Sequence, residues 1–497
     1  MSPIHLSNDE LVDNFHRFIF ADEAARAPYI YGLTLPRANR LPLRDPPGSR
    51  LETMQERLVA ILEAAVHLEY IYFPTTIDLG LVLTAAASMA SLRELHMVFG
   101  ALGGDSKWSP WKLLGTFRSP LRSLRIDSTY DSADEGFPVK SIHDHLASFA
   151  PTLEVLEIHS IDFDDFPSPV TTQFTALRSF TTHTVLNFND SAMEILLQLF
   201  PNLDDTLALG SLGVMDMEPD LPTLREWNKE EQARAWPSFD RVSCDARLAF
   251  LMALQCPIRR MHITVFRSYG RGLLEPVLRD SCPRLLHLSL LFNNSLRDLD
   301  GLFPGSEEVE SLTHLVVFVD VEAREGRRGK PISVPWDQFR DKLIDSVKHL
   351  RLTHLRVVFH YTVWHQASKN PSTIQEQDAI YTSGEEDLHT VATRVFDAMP
   401  TIRYVLLATC GHSYQHVSRN EARPGASMKT LRKWHASKAW RAPDPLPEAH
   451  QLSNAKASPV ALNEEAAEKI VAQEELHLSR DEEEKIQRCS DVTARRG

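Results

Sequence analysis

The sequence predicts an α/β protein built as an irregular leucine-rich-repeat solenoid, a horseshoe with parallel strands on the concave face and helices on the convex face. Three observations predict this fold. A short apolar frame recurs along most of the chain, helical apolar spacing lies between the frames, and proline marks many of the junctions. Units of this kind cannot bury their apolar faces alone, so about 12–13 of them are expected to stack.

The recurring frame reads apolar-x-x-apolar-x-apolar, as in Leu92, Leu95 and Met97. Side chains alternate along a strand, so the central residue enters the core and its two neighbours face solvent. Further copies are centred on Leu33, Ile71, Leu124, Leu156, Val242, Met261, Leu288, Leu315, Leu355 and Val405. The residues that flank the central positions are the expected contacts of a partner: Glu94, His96, Ser123, Arg125, Glu157, Arg260, His262, His287, Ser289, His314, His354 and Arg356.

The segments between the frames have the apolar spacing of helices. In residues 51–67, apolar positions step by three and four and mark one helix face. Similar helices are predicted at 138–149, 190–200, 245–255, 270–281, 336–349 and 388–399. Proline follows several of them, as in Pro151-Thr-Leu153, because it cannot continue a helix. The alternative, a doubly wound sheet, would favour longer all-apolar strands and a glycine-rich phosphate turn, and the sequence contains neither.

Composition changes divide the chain into five predicted regions. The first is an N-terminal capping helix at 1–28, followed by the repeat array at 29–412. A C-terminal cap with a basic, tryptophan-containing segment is expected at 413–442, and a proline-containing linker at 443–462. A charged helix and a disordered tail are expected at 463–497, with Asn463 at the start of the helix. This helix is expected either to stand alone, partly frayed, or to dock on a partner.

Charge and composition exclude several classes of function. The net charge of -14 disfavours non-specific binding to nucleic acid, and no apolar stretch of membrane-spanning length is present. The polar N-terminus does not resemble a signal peptide, and the five cysteines contain no CxxC pair. We therefore expect reduced thiols in a monomeric cytoplasmic or nuclear protein, with no nucleic-acid partner and no membrane partner.

Residues 15–35, the repeated Pro-x-Leu-x-x-Leu units and the Trp434–Trp440 region resemble the fungal, basidiomycete-type F-box and leucine-rich-repeat proteins. The resemblance covers roughly residues 10 to 440. It implies an F-box that docks on a Skp-type adaptor of a cullin ubiquitin ligase, with the repeats holding the substrate. An F-box needs its own Leu-Pro-led helical segment, and the residues before Tyr29 resemble a capping helix instead, so the F-box is expected to be absent or degenerate.

Three histidines occupy one position of the frame in successive repeats. His287, His314 and His354 each precede the central leucine, so we expect their imidazoles to form a ladder about 4.8 Å apart. Such a ladder could bind carboxylates of a partner, coordinate a metal or respond to pH. The competing interpretation is a surface position that is histidine in several similar repeats.

The remaining polar clusters do not predict a catalytic or metal site. Cys410, His412 and His416 lie within seven residues, but they are expected in a loop without a fourth ligand. The acidic clusters Asp131–Glu135 and Asp162–Asp165 lack the glycine and spacing of a calcium loop. The sequence contains no Gly-x-Ser-x-Gly elbow, P-loop or Gly-x-Gly-x-x-Gly motif, so no catalytic residue, metal or cofactor is predicted.

The basic stretch Arg419–Arg441 surrounds Trp434 and Trp440 and has two interpretations. Basic residues interleaved with aromatic ones can bind nucleic acid or acidic lipid, whereas tryptophans at this place can also cap the last repeat. Together, these features predict a non-catalytic scaffold that binds a protein through the concave face. The alternative prediction is a substrate-recognition subunit of a cullin-type ubiquitin ligase.

Overall fold

The structure is a computed structural model of the chain. It describes residues 2–36, 50–74, 79–99, 113–128, 137–164, 170–213, 220–232, 236–266, 272–292, 299, 302–303, 305, 309–324, 336–365, 385–416, 428–443 and 458–490. The chain divides into two compact units, Met1–Asp240 and Arg241–Gly497. Each unit combines helices with a mostly parallel, open sheet, which confirms the predicted α/β class.

Unit 1 (Met1–Asp240) contains nine strands among its described residues: β1 Ile4–His5, β2 Gly32–Thr34, β3 Tyr70–Phe73, β4 Glu94–Phe99, β5 Ser123–Ser128, β6 Phe137–Pro138, β7 Val155–Asp162, β8 Ser179–Leu186 and β9 Thr206–Leu212. Its helices are α1 Asp9–Phe20, α2 Glu23–Arg26, α3 Arg50–Ala64, α4 Gly80–Ser88, α5 Val139–His145, α6 Ala192–Leu199 and α7 Leu221–Glu231. Short 3-10 helices span Ala27–Tyr29 and Ala147–Phe149. The helices predicted at 51–67, 138–149 and 190–200 are confirmed, whereas α4 and α7 were not predicted.

The strands of unit 1 pair in parallel, each with the next large strand along the chain. Leu95, Leu124 and Leu156 occupy one register position on β4, β5 and β7, and each is at most 2% exposed. The start of α1 shows the local chemistry that the sequence encodes. The Asn8 side chain accepts a 2.8 Å hydrogen bond from the Leu11 amide, and two acidic residues follow in the positive first turn.

Unit 2 (Arg241–Gly497) contains β10 Phe239–Asp245, which crosses the boundary between the units, and then β11 Ile258–Phe266, β12 Leu285–Phe292, β13 His314–Arg324, β14 His354–His365, β15 Tyr404–His416, β16 Met428–Arg441 and β17 Val460–Ala461. Its helices are α8 Ala246–Met252, α9 Leu274–Ser281, α10 Trp336–Val347, α11 Glu385–Ala398, α12 Glu464–Gln473 and α13 Arg480–Ser490. The helices predicted at 245–255, 270–281, 336–349 and 388–399 are confirmed.

The strands β11 to β15 pair in parallel and in chain order. The expectation of parallel strands fails at the end of the sheet, where β16 pairs antiparallel with β15 and β17 pairs antiparallel with β16. The segment around Cys410 and His412 was expected to be a loop, but it continues β15 as far as His416. Strand pairing with β14 on one side and β16 on the other explains why these residues stay extended.

The largest difference from the sequence-based prediction lies at the C-terminus. One charged helix and a disordered tail were expected over 463–497. The structure has two helices there, α12 and α13, at 464–473 and 480–490, and residues 491–497 lie outside the described residues. The predicted helix start is present, because the Asn463 side chain accepts a 2.8 Å hydrogen bond from the Ala466 amide. Both helices pack against the sheet of unit 2. No helix among the described residues is long and apolar enough to cross a bilayer.

Candidate functional site

Each sheet has a core face, which carries the fully buried leucines, and an opposite face. Alternation along the strands places the twelve flanking residues predicted from the sequence on the opposite face. In unit 1, His96, Arg125 and Glu157 share one register position, as do Glu94 and Ser123. Glu94 is exposed, and the other four are half-buried. The sequence therefore identified the faces of these strands correctly.

Polar contacts cross the opposite face of unit 1 from strand to strand. His96 Nε2 lies 2.8 Å from an Asp127 carboxylate oxygen, and Arg125 Nε lies 3.2 Å from the same carboxylate. Arg125 Nη1 also lies 3.4 Å from Glu157, which His183 Nε2 approaches to 3.5 Å. The Arg125 and His183 side chains remain 43% and 51% exposed, so water still reaches this network.

The polar groups of this network shift one another's pKa values. Burial acts to raise the pKa of Asp127, but the hydrogen bond from His96 and the charge of Arg125 outweigh it and lower the pKa. The hydrogen bond to Glu157 raises the pKa of His183 above its ordinary value, against the effect of burial. Tyr72 stacks on His96 with ring centroids 4.2 Å apart, which adds an aromatic edge to the charged surface.

In unit 2 the opposite face is covered by the chain itself. We call residues 458–490, which include α12 and α13, the C-terminal segment. Its Leu476 and Leu478 are 0% and 7% exposed, and they belong to one apolar cluster with side chains of the sheet. The sheet contributes Leu285, Val316, Phe318, Val358, Leu406, Cys410 and Ala439 to that cluster. These positions would otherwise present a large apolar surface to water.

Charged contacts surround the apolar cluster. Glu482 lies 3.0 Å from His287 Nε2 and accepts a 2.5 Å hydrogen bond from the Ser289 hydroxyl. The side chains of Glu482 and His287 are only 6% and 8% exposed. Burial acts to raise the pKa of Glu482, but contact with His287 and its charge lowers the pKa to about 2, so this carboxylate is ionised at neutral pH.

The remaining predicted contact residues of unit 2 also face the C-terminal segment. His314 Nε2 lies 3.0 Å from Glu474, and Arg260 Nη1 lies 3.3 Å from Glu475. Arg356 Nη1 donates a 2.5 Å hydrogen bond to the Leu476 carbonyl oxygen. The segment has nine acidic residues against four basic ones, which matches the histidines and arginines beneath it.

The predicted ladder of three histidines is corrected by the strand register. His314 pairs with His354, and their rings stack with centroids 4.3 Å apart. His287 pairs instead with Val316 on one side and with His262 on the other, whose ring lies 4.2 Å away. The four imidazoles therefore form two stacked pairs. The predicted ladder was wrong because Leu286, and not Leu288, aligns with Met261 and Leu315.

Burial keeps two of these histidines neutral at physiological pH. The pKa of His262 is lowered to about 4, by burial first and by the charge of His287 second. The pKa of His354 is also lowered to about 4, by burial and by the neighbouring His314. Burial lowers the pKa of His314 as well, although its contact with Glu474 opposes this. Neutral rings at His262 and His354 suit a covered face, because each stacks on a second imidazole and two adjacent charged rings would repel each other.

Sequence reasoning missed the residues of the C-terminal segment that complete this site. The sequence predicted a solvated helix around Glu474, Glu475 and Glu482, because this segment has few apolar residues and many charged ones. A signal did exist in the Leu476-His-Leu478 step, which interrupts the charged run with two apolar side chains. That step lies between α12 and α13 and places both leucines against the sheet.

The acidic clusters and the tryptophan segment singled out in the sequence lie in different surroundings. Asp131–Glu135 lies outside the described residues. Asp162 and Asp164 each accept a 2.9 Å hydrogen bond from the Asn187 amide group, which holds a turn. Trp440 is fully buried and donates a hydrogen bond to His389 of α11, so it packs at the end of the sheet.

Four groups of described side chains bring potential metal-binding atoms within 4.8 Å of one another. Two of them are the histidine pairs with Glu482 and Glu474, in which the carboxylates already contact the imidazoles. A third consists of the half-buried Asp127 and Glu157 with the exposed His183. The fourth is fully buried and consists of His360, His412 and Cys489.

No protein-family model matches the sequence. No curated protein matches it significantly either.

Proposed function

We propose that the protein is a non-catalytic scaffold of the leucine-rich-repeat type that binds a protein partner through the opposite face of unit 1. The observation that carries this proposal is the way in which the equivalent face of unit 2 is occupied. There a helical, acidic segment of the chain itself lies on the strands. Buried leucines contact the centre of the face, and polar contacts such as His287–Glu482 and the ion pair Arg260–Glu475 surround them.

That arrangement has the anatomy of a protein–protein interface, with an apolar centre and a polar surround. The opposite face of unit 1 offers similar chemistry in open form. Tyr72, His96 and Arg125 provide aromatic and forked donor groups, residue types that are common in protein interfaces. Arg125 is paired with Asp127 and Glu157, so the face is not a basic patch of the kind that binds phosphate backbones.

A site-specific photo-crosslinking experiment in cells of the native host tests this proposal. A photoreactive amino acid replaces Tyr72 on the opposite face, and in a matched control it replaces Trp227, which is 51% exposed on α7. We expect a discrete protein adduct from position 72 that position 227 does not give. Adding Arg125→Glu, which places a third carboxylate beside Asp127 and Glu157, should abolish the adduct.

Adducts of equal pattern at positions 72 and 227 would contradict the proposal, because they would reflect random collision. An adduct at position 72 that persists undiminished with Arg125→Glu would also contradict it. Circular dichroism of the purified variants shows that each chain remains folded. The Arg125 side chain is 43% exposed, so its replacement should leave the fold intact.

A further inference from the structure

A cluster of cysteines and histidines lies where the C-terminal segment meets strands β14 and β15. His360 stands on β14, Cys410 and His412 stand on β15, and Cys489 is in the last turn of α13. All four side chains are at most 8% exposed. The His412 Nδ1 atom lies 3.7 Å from Cys489 Sγ, and Cys410 and Cys489 belong to one buried cluster.

Strand register explains how residues distant in sequence converge here. His360 pairs with Cys410, and Thr362 pairs with His412. Cys410 and His412 are two apart in an extended strand, so both point to the opposite face. Gly411 between them points to the other face, where a β-carbon would lie 2.5 Å from the Trp434 ring. The glycine therefore lets β16 pack closely behind the cluster.

The two histidines are oriented as metal ligands usually are. His360 Nδ1 lies 2.9 Å from an Asp320 carboxylate oxygen, which leaves Nε2 directed into the cluster. That Nε2 atom is buried, forms no well-aligned hydrogen bond and faces the Cys489 sulfur. His412 Nε2 lies 3.3 Å from the Thr362 hydroxyl, which leaves Nδ1 facing Cys489. Ligand histidines almost always bond a carboxylate or another oxygen through the second ring nitrogen.

We propose that His360 Nε2, His412 Nδ1 and Cys489 Sγ, whose residues bring ligand atoms within 4.8 Å of one another, bind one zinc ion, and that the neighbouring Cys410 sulfur turns towards the ion as the fourth ligand. Two thiolates and two imidazoles form one of the common ligand sets of structural zinc, which is tetrahedral and closed to solvent. The ion removes the cost of burying the His360 nitrogen and two sulfur atoms together. Asp320 acts as a positioning residue, since it fixes the ring of His360 without touching the ion.

Three ligands come from the sheet and the fourth from α13. Zinc would therefore fasten the end of the C-terminal segment to the opposite face of unit 2.

Metal analysis of the full chain tests the site. Protein purified with a reductant and without chelator is loaded with zinc, desalted and measured by mass spectrometry. We expect about one zinc per chain, and a drop of at least about tenfold in occupancy with Cys489→Ser or His360→Ala. Cys282→Ser is the matched control, because Cys282 is an exposed free thiol of the same unit. Asp320→Asn should weaken zinc binding by about tenfold.

Cobalt provides a readout that does not depend on the variants folding. Wild-type protein titrated with cobalt should acquire the visible bands of tetrahedral cobalt and the near-ultraviolet bands of thiolate coordination. The absence of both sets of bands would overturn the proposal. So would a zinc content unchanged in Cys489→Ser, or a Cys410–Cys489 disulfide in freshly purified protein, since a disulfide leaves no thiolate to coordinate.

Discussion

Each unit has a parallel sheet with an opposite face. This face is open to water in unit 1 and covered by the C-terminal segment in unit 2. In unit 1, Arg125 and Glu157 meet in a network that water still reaches. In unit 2, Glu482 of the C-terminal segment meets His287 of the sheet, and water is almost completely excluded from both side chains. The comparison teaches that the strands do not by themselves determine how such a face behaves. What lies over them decides whether a charged pair is a weak surface contact or part of a buried interface.

The apolar centre of the covered face should matter most. Leu476→Ala removes a fully buried side chain, and we expect it to destabilise the docked C-terminal segment by about 2–5 kcal/mol. Hydrogen exchange of residues 458–490, followed by mass spectrometry, measures this loss. Val460→Ala is the matched control, because Val460 is 40% exposed and should leave exchange unchanged. Equal protection of the segment in both variants would show that Leu476 does not hold it.

Acid should open the covered face before it affects the open one. The pKa of His354 is lowered to about 4, by burial first and by His314 next, so the closed state resists protonation. The groups that act on it are His314 on β13, Glu474 after α12, and Arg284 and Arg403. The stability that neutral His354 gives to the docked C-terminal segment is fully present above pH 6.5. It is lost as the pH falls towards 4, because His354 binds a proton at higher pH when the segment is released than when it is docked. The loss is on the order of 2–3 kcal/mol for this group.

Hydrogen exchange of the C-terminal segment between pH 6.5 and 4 measures the effect, after correction for the intrinsic pH dependence of exchange. His354→Gln should flatten part of the profile, since glutamine does not titrate. A profile as steep as that of the wild type would assign the opening to other groups.

The buried pair should contribute more than its counterpart in unit 1. Glu482→Gln removes the charge that faces His287 and weakens the acceptor for Ser289 and for the Ser479 amide. We expect a loss of about 1–3 kcal/mol in the docking of the C-terminal segment, because its partners stay buried. Chemical denaturation monitored at residues 458–490 tests this. Glu483 is an exposed neighbour. If Glu482→Gln weakened docking less than Glu483→Gln, the contact between Glu482 and His287 would not stabilise the docked segment.

The smallest effect is expected on the open face. Glu157→Gln breaks contacts to Arg125 and His183, whose side chains are 43% and 51% exposed. We expect a loss of about 0–1 kcal/mol in the stability of unit 1, since water and salt already screen these charges. Denaturation at low and high salt measures it, and the difference between Glu157→Gln and wild type should shrink at high salt. A loss as large as that of Glu482→Gln would end the distinction between the two faces.

The sequence was sufficient for the local elements and for the faces of the strands. Leu95 and Leu124 alternate with charged residues, and this period of two determines which side chains lie together. The sequence was insufficient where the apolar frame can be aligned in two ways. Leu285, Leu286 and Leu288 fit two frames equally well, so only the hydrogen-bonded register shows that His287 lies beside His262.

The contacts of highest sequence separation were beyond sequence reasoning. Cys489 is 129 residues from His360 and 79 from Cys410 (489 − 360 and 489 − 410), and no local pattern relates them. The Cys410-Gly-His412 step is visible in the sequence, but the side chains that it meets, His360 and Cys489, are far from it along the chain. Docking of the acidic segment was also hidden, because its apolar side chains are few. Both features depend on tertiary contacts that α13 makes with the sheet.

The reversal of direction at β16 has a consequence for how copies of the protein meet. A parallel array that ended at β15 would leave a 13-residue strand with unpaired amides, a template for pairing with another molecule. Instead the terminal strand carries Arg432, Lys433 and Lys438, and among the described residues only Val460 and Ala461 pair with its far side. Like charges facing each other across two such edges would repel. Basic side chains on an edge strand are one of the ways in which proteins discourage edge-to-edge pairing of their sheets.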